Sequence, residues 1–444
     1  MNRLLITLAA FPRPFSVRGI RPRGSGCRIV YSLVFCLCLA GTARAQEAVR
    51  MSMASDEAAR ARREAASTLG YYNLTVGPTR WKFGAGLGME YTDNVSLSSR
   101  GKESDFSFRP QANTEMLWPI TDKNNLNLSV GVGYAAYVKR TDLDRVFVTP
   151  GSELSFDLYV GDVWVNLHDR FSITEDSFQD PTVSGTGDYA RLENAVGASA
   201  LWDLNKVILR LGYDHVDYIS LISNSSVPDG QSEIFSGSAG YVIKPDMQVG
   251  IELGGGLLSY SGANAPPKAT QWSAGTFFDT QVSDHIHFRG SVGYTVYSPD
   301  SDGASGGTNA APKKEFSGVY AQVAISHQLN DRIDYSLSGG RSLSFAFFGG
   351  TIDLYFARLQ ANWKIMQKVT IGTSLDYEHG SQVAQVQGPG DETFDRYSGG
   401  ITLGRTITKK LSGSLGYRFL WRRSDISGQE YTANVATVNL NYAF

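Results

Sequence analysis

The chain has 444 residues, with 41 Lys+Arg against 43 Asp+Glu and a formal net charge of −2. This balance argues against a nucleic-acid-binding protein, which usually carries a basic excess. Hydrophobic residues make up 42% of the chain, so its composition is not that of a disordered protein. The 22 Phe, 22 Tyr and 47 Gly favour β structure, because aromatic side chains fit pleated surfaces. Three cysteines cannot form a disulfide framework or a four-cysteine zinc site.

The first 45 residues have the composition of an export signal. They contain seven arginines and no Lys, Asp or Glu. The apolar stretch 29–40 is too short to cross about 30 Å of hydrocarbon as a helix, and Ala43-Arg44-Ala45 follows it. A basic segment, a short apolar segment and an A-x-A site are typical of a secretory signal peptide. We expect cleavage after Ala45, which removes every cysteine and leaves 34 basic against 43 acidic residues.

Residues 46–79 form a separate short region. Ala54 to Leu69 is rich in Ala, Arg and Glu, a composition that suits a solvated helix. It lacks a wide apolar stripe, so we expect a partly helical periplasmic extension. A plug that enters a pore, or a helix that docks on a partner, is the alternative.

From residue 80 to residue 444 the sequence alternates with a period of two. Between Leu126 and Tyr134 every even position is apolar and every odd position is small or polar. Eight short polar turns alternate with nine connections that are mostly longer and rich in Gly, Ser, Asp and Pro, which predicts eighteen strands, with sixteen as the alternative. Propeller blades bury apolar residues on both faces, whereas the second face here is polar. The pattern predicts an all-β protein, a transmembrane antiparallel β-barrel.

The last predicted strand carries the most specific signal. Leu440, Tyr442 and Phe444 share one face, and Phe444 ends the chain. This ending resembles the recognition signal of bacterial outer-membrane barrels, which the barrel assembly machinery reads. The resemblance implies location in the outer membrane of a Gram-negative cell, with the assembly machinery and outer-membrane lipid as partners.

A second resemblance lies on the first predicted strand. Gly88 to Leu97 reads GMEYTDNVSL, which is similar to the EYTDNV opening of a porin-2-like family of outer-membrane β-barrels. Some members of that family occur beside exopolysaccharide export genes. The family has no agreed catalytic residues, so none is carried over. A physical interpretation places Tyr91 in the outer aromatic girdle and Asp93-Asn94 at the turn into the first long loop.

Few residues indicate chemistry. His285 and His287 form an H-x-H pair without a nearby third ligand, and His379 lies between Glu378 and the nearby Ser381 without a nucleophile elbow or a paired His–Asp grouping. We therefore expect no enzyme activity, no metal site and no cofactor.

Function is expected on the inward face, where neither charge dominates. Alternation places basic residues inside at Arg109, Arg170, Arg210, Arg289, Arg358, Lys364, Arg418 and Arg422. It places acidic residues there at Glu115, Asp157, Glu193, Asp214, Glu252, Asp334, Asp376 and Glu378. These charges either filter solutes by a transverse field or only stabilise the wall as ion pairs.

The sequence is compatible with two functions. The first is a porin-like channel for passive diffusion of small polar solutes. The alternative is a structural or accessory barrel linked to exopolysaccharide export or to surface presentation, for which Tyr137, Tyr159, Trp164 and Tyr297 are scattered sugar-stacking candidates. The longest connection, 298–314, does not suggest a large constricting loop, and the oligomeric state stays open.

Overall fold

The structure is a computed structural model that describes residues 72–174, 177–178, 180–222, 228–261, 265, 268–300, 316–345, 351–383 and 392–444. The predicted signal peptide, 1–45, and the predicted helix over 54–69 lie outside the described residues. Within the described ranges, no helix is long and apolar enough to cross a membrane.

Nineteen strands and one short 3₁₀ turn, Thr141–Leu143, are described. The strands of the first half are β1 (Leu74–Val76), β2 (Thr79–Thr92), β3 (Asp105–Pro119), β4 (Asn125–Tyr137), β5 (Arg145–Val160), β6 (Val163–Thr174), β7 (Arg191–Asp203), β8 (Val207–Ser220), β9 (Asp229–Lys244) and β10 (Met247–Ser261). Those of the second half are β11 (Ala269–Ser283), β12 (Ile286–Pro299), β13 (Phe316–Asn330), β14 (Ile333–Phe345), β15 (Thr351–Met366), β16 (Val369–Val383), β17 (Thr393–Thr406), β18 (Leu411–Ser424) and β19 (Tyr431–Ala443).

β2 to β19 form a closed antiparallel barrel of eighteen strands. Each strand pairs with the next along the chain, and β19 pairs back onto β2 from Gly84↔Ala443 to Thr92↔Val435. Closure leaves none of the eighteen described barrel strands at an open edge, as a lipid environment requires. The predicted all-β barrel and its eighteen strands are confirmed. β1 is an additional short strand that pairs with the start of β2.

The eight short turns predicted from the sequence join β3 to β4, β5 to β6 and the later pairs in the same way, and they lie at one end of the barrel. Gly161 connects β5 to β6 with a φ of 63°, a left-handed conformation that glycine adopts without steric cost. Asn205 adopts the same region between β7 and β8, with a φ of 72°. Asparagine tolerates this conformation because its side chain bonds locally. Gly161 and Asn205 therefore suit these turns because they can adopt the left-handed backbone conformation.

The outward face is an apolar band with aromatic side chains toward the strand ends. Leu211, Leu375 and Leu415 lie within strands and are 66%, 59% and 55% exposed. Trp118 and Trp202 are exposed one residue from the short-turn ends of β3 and β7. An apolar band of this kind with interfacial aromatics is the surface that a bilayer-spanning barrel presents to lipid.

Two glycines on the inner face let one tyrosine lie flat across three strands. The Tyr320 hydroxyl, on β13, hydrogen-bonds to Glu252 on β10. Its ring passes over Gly293 on β12 and Gly275 on β11. A Cβ added at Gly293 would lie 2.3 Å from Tyr320 Cε1, and one at Gly275 would lie 2.2 Å from Tyr320 Oη. Close approach therefore explains why these positions lack side chains.

Candidate functional site: the barrel lumen

The pairing register follows the inward charges around the barrel. Glu115 lies opposite Lys82, and Arg358 lies opposite Asp376. Continued from strand to strand, the register places all sixteen charged residues of the sequence analysis on one sheet face. The exposed leucines of the apolar band lie on the other face. The part of these residues in solute passage stays a prediction.

A connected polar ladder lines the inner face of β4 to β8. Arg170 Nη1 lies 3.3 Å from Asp214 Oδ1, and its Nε lies 3.9 Å from Glu153 Oε1. His168 Nε2 is 2.8 Å from the same Asp214 oxygen. The ladder continues through Asn166, whose Nδ2 donates to Asp157 Oδ1 at 2.7 Å. The charges on this wall are therefore bonded to one another.

The inner face of β10 to β13 holds a second, smaller network. Arg289 Nη1 donates to Asp279 Oδ2 at 2.9 Å, and Arg289 Nη2 lies 4.0 Å from Glu252 Oε2. His287 Nε2 is 2.8 Å from Asp279 Oδ1, whereas His285 lies in the turn before β12. Among the described residues, no three His, Cys, Asp or Glu side chains are grouped so that they could hold a metal ion.

The inner face of β15 to β18 is the most basic part of the wall. Glu378 accepts from two arginines, Arg358 Nη2 at 3.3 Å and Arg396 Nε at 2.7 Å. Arg422 Nη1 lies 2.8 Å from Glu392 Oε1, and both side chains are buried. Arg396 and Glu392 were missed in the sequence analysis, although Arg396 follows the same alternation as the other inward residues.

The connection between β6 and β7 reaches across the barrel. The Phe178 carbonyl accepts from Arg396 Nη1 at 3.1 Å, and the Pro181 carbonyl accepts from Arg422 Nε at 3.2 Å. β17 is seven strands from β6 by the shorter way round. We call the described residues 177–178 and 180–190 the crossing loop. A connection that crosses to the far wall was not suggested by the lengths of the connections, and its effect on the width of the lumen stays a prediction.

Apolar packing fixes the crossing loop on the far wall. It buries Phe178, Val183 and Tyr189 in one cluster with the first long loop and with β18 and β19. Buried apolar surface stabilises such a contact by about 25 cal/mol per Å². The other members of the cluster are Leu97, Leu420, Tyr431, Ala433 and Val435.

Arg140 joins two loops at the long-loop end of the barrel. Its Nη1 donates to Ser96 Oγ at 2.9 Å and to Glu103 Oε2 at 3.1 Å, both in the first long loop. Its Nη2 donates to Asp142 Oδ2 at 2.7 Å. This hydrogen bond lowers the pKa of Asp142 below its ordinary value. The favourable contact is therefore present at neutral pH and is lost as pH falls through the lowered pKa.

The histidine singled out at the rim has an acidic partner. His379 Nδ1 is 3.0 Å from Asp395 Oδ1, which also accepts from the Tyr377 hydroxyl at 2.8 Å. The expectation that no His–Asp pair exists is wrong, because Asp395 lies on the neighbouring strand. These groups lie on the outward face, and among the described contacts the Ser381 hydroxyl makes no hydrogen bond to His379. Glu378 lies on the opposite face.

The same outward arrangement occurs a second time on β8 and β9. His215 Nδ1 is 2.8 Å from Glu233 Oε1, and the Tyr213 hydroxyl donates to Glu233 Oε2 at 2.6 Å. A tyrosine and a histidine two residues apart thus share one carboxylate in both places. The repetition favours a role on the outward face at the boundary between lipid and water, where amphipathic side chains contact both.

The fold and the lumen define a class of protein, a bilayer-spanning β-barrel with a charged interior. No family model and no curated protein matches the sequence. Three solved structures are similar in overall shape, each over 82% of this chain and 99% of theirs. They are OccAB3 of Acinetobacter baumannii (12% identity, TM-score 0.44), OpdK of Pseudomonas aeruginosa (13%, 0.44) and a BenF-like porin of Pseudomonas fluorescens Pf-5 (12%, 0.46).

Proposed function

We propose that this protein is an outer-membrane porin that allows passive diffusion of small polar solutes. The observation that carries the proposal is the charged and hydrogen-bonded inner face, which the crossing loop spans in part. A polar inner face needs water, because buried charges without solvent or partners are costly. A loop docked on the far wall limits the size of what passes.

The charge pattern supports a filter for polar solutes of both signs. Acidic residues are the more numerous on the inner face of β5 to β8, and basic residues on that of β15 to β18. Opposed charges across a water-filled lumen create a transverse field that orients water and dipolar solutes. An apolar solute gains nothing from this field and would disturb the ordered water.

The proposal includes a route to the membrane. Residues 1–45 would direct export and be removed, and 46–79 would remain as a periplasmic extension. The barrel assembly machinery would then read Leu440, Tyr442 and Phe444 on the outward face of the last strand. Leu440 and Tyr442 are 39% and 42% exposed, as such a signal requires.

The export alternative gains no support from the described residues. Two of its sugar-stacking candidates are engaged in other contacts. Tyr137 Oη lies 3.4 Å from Arg109 Nη2, and Tyr297 is buried with Leu258 and Ala269. A polysaccharide would need a continuous open path of exposed aromatic faces.

Liposome swelling tests the proposal. Proteoliposomes of the folded protein should swell in a small neutral sugar and in a zwitterionic amino acid, at rates that fall as solute mass rises. They should not swell in a large dextran. Liposomes with heat-unfolded protein provide the background. Absence of swelling in the smallest sugar, with folded barrel verified by its gel mobility before boiling, would contradict the proposal.

A further inference from the structure

We propose that Asp93 and Asn94 form a latch that closes the barrel between its first and last strands, β2 and β19. We call this junction the seam. Its backbone pairing ends at Thr92↔Val435. Beyond that point the Asp93 carboxylate bonds across the seam. It accepts hydrogen bonds from Asn434 N at 2.7 Å and from Asn434 Nδ2 at 2.6 Å.

Asp93 also continues the backbone contact itself. Its N–H donates to the Asn434 carbonyl at 3.2 Å. One carboxylate with two oxygens can accept from a backbone amide and a side-chain amide together, and bonds to a charged acceptor are about twice as strong as neutral ones. The latch thus combines an acidic residue directly after β2 with an amide side chain on β19.

Asn94, the residue after Asp93, also bonds across the seam. Its side chain is fully buried, and its Nδ2 donates to the Thr432 carbonyl and to the Ser98 carbonyl, both at 2.9 Å. Its Oδ1 accepts from Ser98 N at 2.9 Å. Asn94 therefore joins β19 to the first long loop with every polar group paired.

The latch reaches a third strand. The Tyr417 hydroxyl on β18 donates to Asn434 Oδ1 at 2.6 Å, so hydrogen bonds run from β18 through β19 to β2. On the inner side, Leu97 packs in the buried cluster with Tyr431, Ala433 and Val435. The sequence EYTDNVSL thus supplies both the polar bonds and the apolar contact.

The seam needs such a device because no hairpin turn holds it. Asp93 and Asn434 are separated by 341 residues, whereas every other barrel pair is joined by its own connection. The entropic cost of bringing two residues together rises with the length of chain between them. The seam therefore depends on contacts between its two strands. At the short-turn end the backbone itself bonds across the seam, since the Phe444 N–H donates to the Phe83 carbonyl at 3.1 Å.

Hydrogen exchange in detergent micelles tests the latch in the full chain. In the variant Asp93→Ala with Asn94→Ala, backbone amides of β2 and β19 near the rim should exchange on the order of tenfold faster, because local opening of the seam becomes easier. Amides of β16 and β17 should be unchanged. The matched control is Asp395→Ala. It removes a carboxylate that makes two hydrogen bonds between β16 and β17, which are consecutive strands joined by their own connection.

The outcomes separate a latch from general stabilisation. Unchanged protection of β2 and β19 in the double variant would overturn the proposal, and so would an equal loss of seam protection in Asp395→Ala. If the double variant does not fold, Asn434→Ala removes only the side-chain half of the latch. It should fold and speed exchange in β19 more than in β16, and equal exchange in the two strands would overturn the proposal.

Discussion

Inward arginines are held by carboxylates on neighbouring strands. Arg109 Nη2 lies 3.2 Å from Glu90 Oε1, as Arg289 does from Asp279 at 2.9 Å. The Arg289–Asp279 pair is partly exposed, and exposed ion pairs contribute only about 0–1 kcal/mol each, so its value lies in fixing where the charge is. In the proposed filter, the field arises from positioned pairs and from the unequal distribution of acid and base between opposite walls.

Replacement of Gly293 should destabilise the barrel. In Gly293→Ala the new methyl group would meet the Tyr320 ring and the Ala274 carbonyl, at 2.3 and 2.4 Å before relaxation. We expect a loss of about 1–3 kcal/mol in the free energy of unfolding. Urea titration of the protein folded in lipid, followed by gel mobility, measures it.

The matched control is Gly256→Ala on β10. Its added Cβ would meet Leu258 Cδ1 at 3.6 Å, an ordinary contact distance. The control should retain the parent stability to within about 0.5 kcal/mol. Equal unfolding midpoints for the two variants would show that Tyr320 can move away, and would remove the reason given for the glycine.

Alternation places a charged residue on a face but does not identify its partner. The contacts of Arg109 and Arg289 depend on register between strands, which a period of two does not contain. Glu90 and Asp279 carry the same alternation and could have been selected with the others. Asp395 could not have been paired with His379, because a connection and a strand register separate them.

At the scale of elements, the crossing loop shows where composition misleads. Its Gly, Ser, Thr and Asp residues are typical of a solvated connection, and its length is unremarkable. The apolar residues Phe178, Val183 and Tyr189 are spaced without a period, so they predict no strand or helix. These apolar residues are explained by their packing against β18 and β19 on the far wall. The sequence does not show which strands a loop will contact.

Removal of the two docking arginines should release the crossing loop. In Arg396→Ala with Arg422→Ala, the carbonyls of Phe178 and Pro181 lose their donors, and Glu392 stays buried without its cation. The loss of buried ion pairs costs about 3–5 kcal/mol, so we expect lower stability. In planar bilayers we also expect a larger and noisier open-channel current.

Arg423→Ala is the control for that variant. Arg423 lies next to Arg422 but on the outward face, with its guanidinium 4.3 Å from the Trp421 ring centroid. It removes one arginine charge without touching the crossing loop, and should leave the current unchanged. Identical currents in both variants would contradict the docking of the loop as a determinant of pore size.

At the scale of the whole molecule, strands and short turns could be predicted because their signals are local. Period-two alternation and turn residues act over two to sixteen positions, and they predict eighteen strands. The seam could not be predicted in the same way, since it joins residues from the two ends of the barrel. The motif at Asp93 and Asn94 was visible, but its interpretation as a simple turn lacked the partner on β19.

We expect the barrel to be an open passive channel, and single-channel recording can show this. The purified, folded protein inserted into a planar bilayer should give discrete, uniform current steps that are proportional to small applied voltages. Both small cations and small anions should carry current, because neither sign dominates the lumen. Stable insertion of the folded barrel without current steps would contradict a channel function.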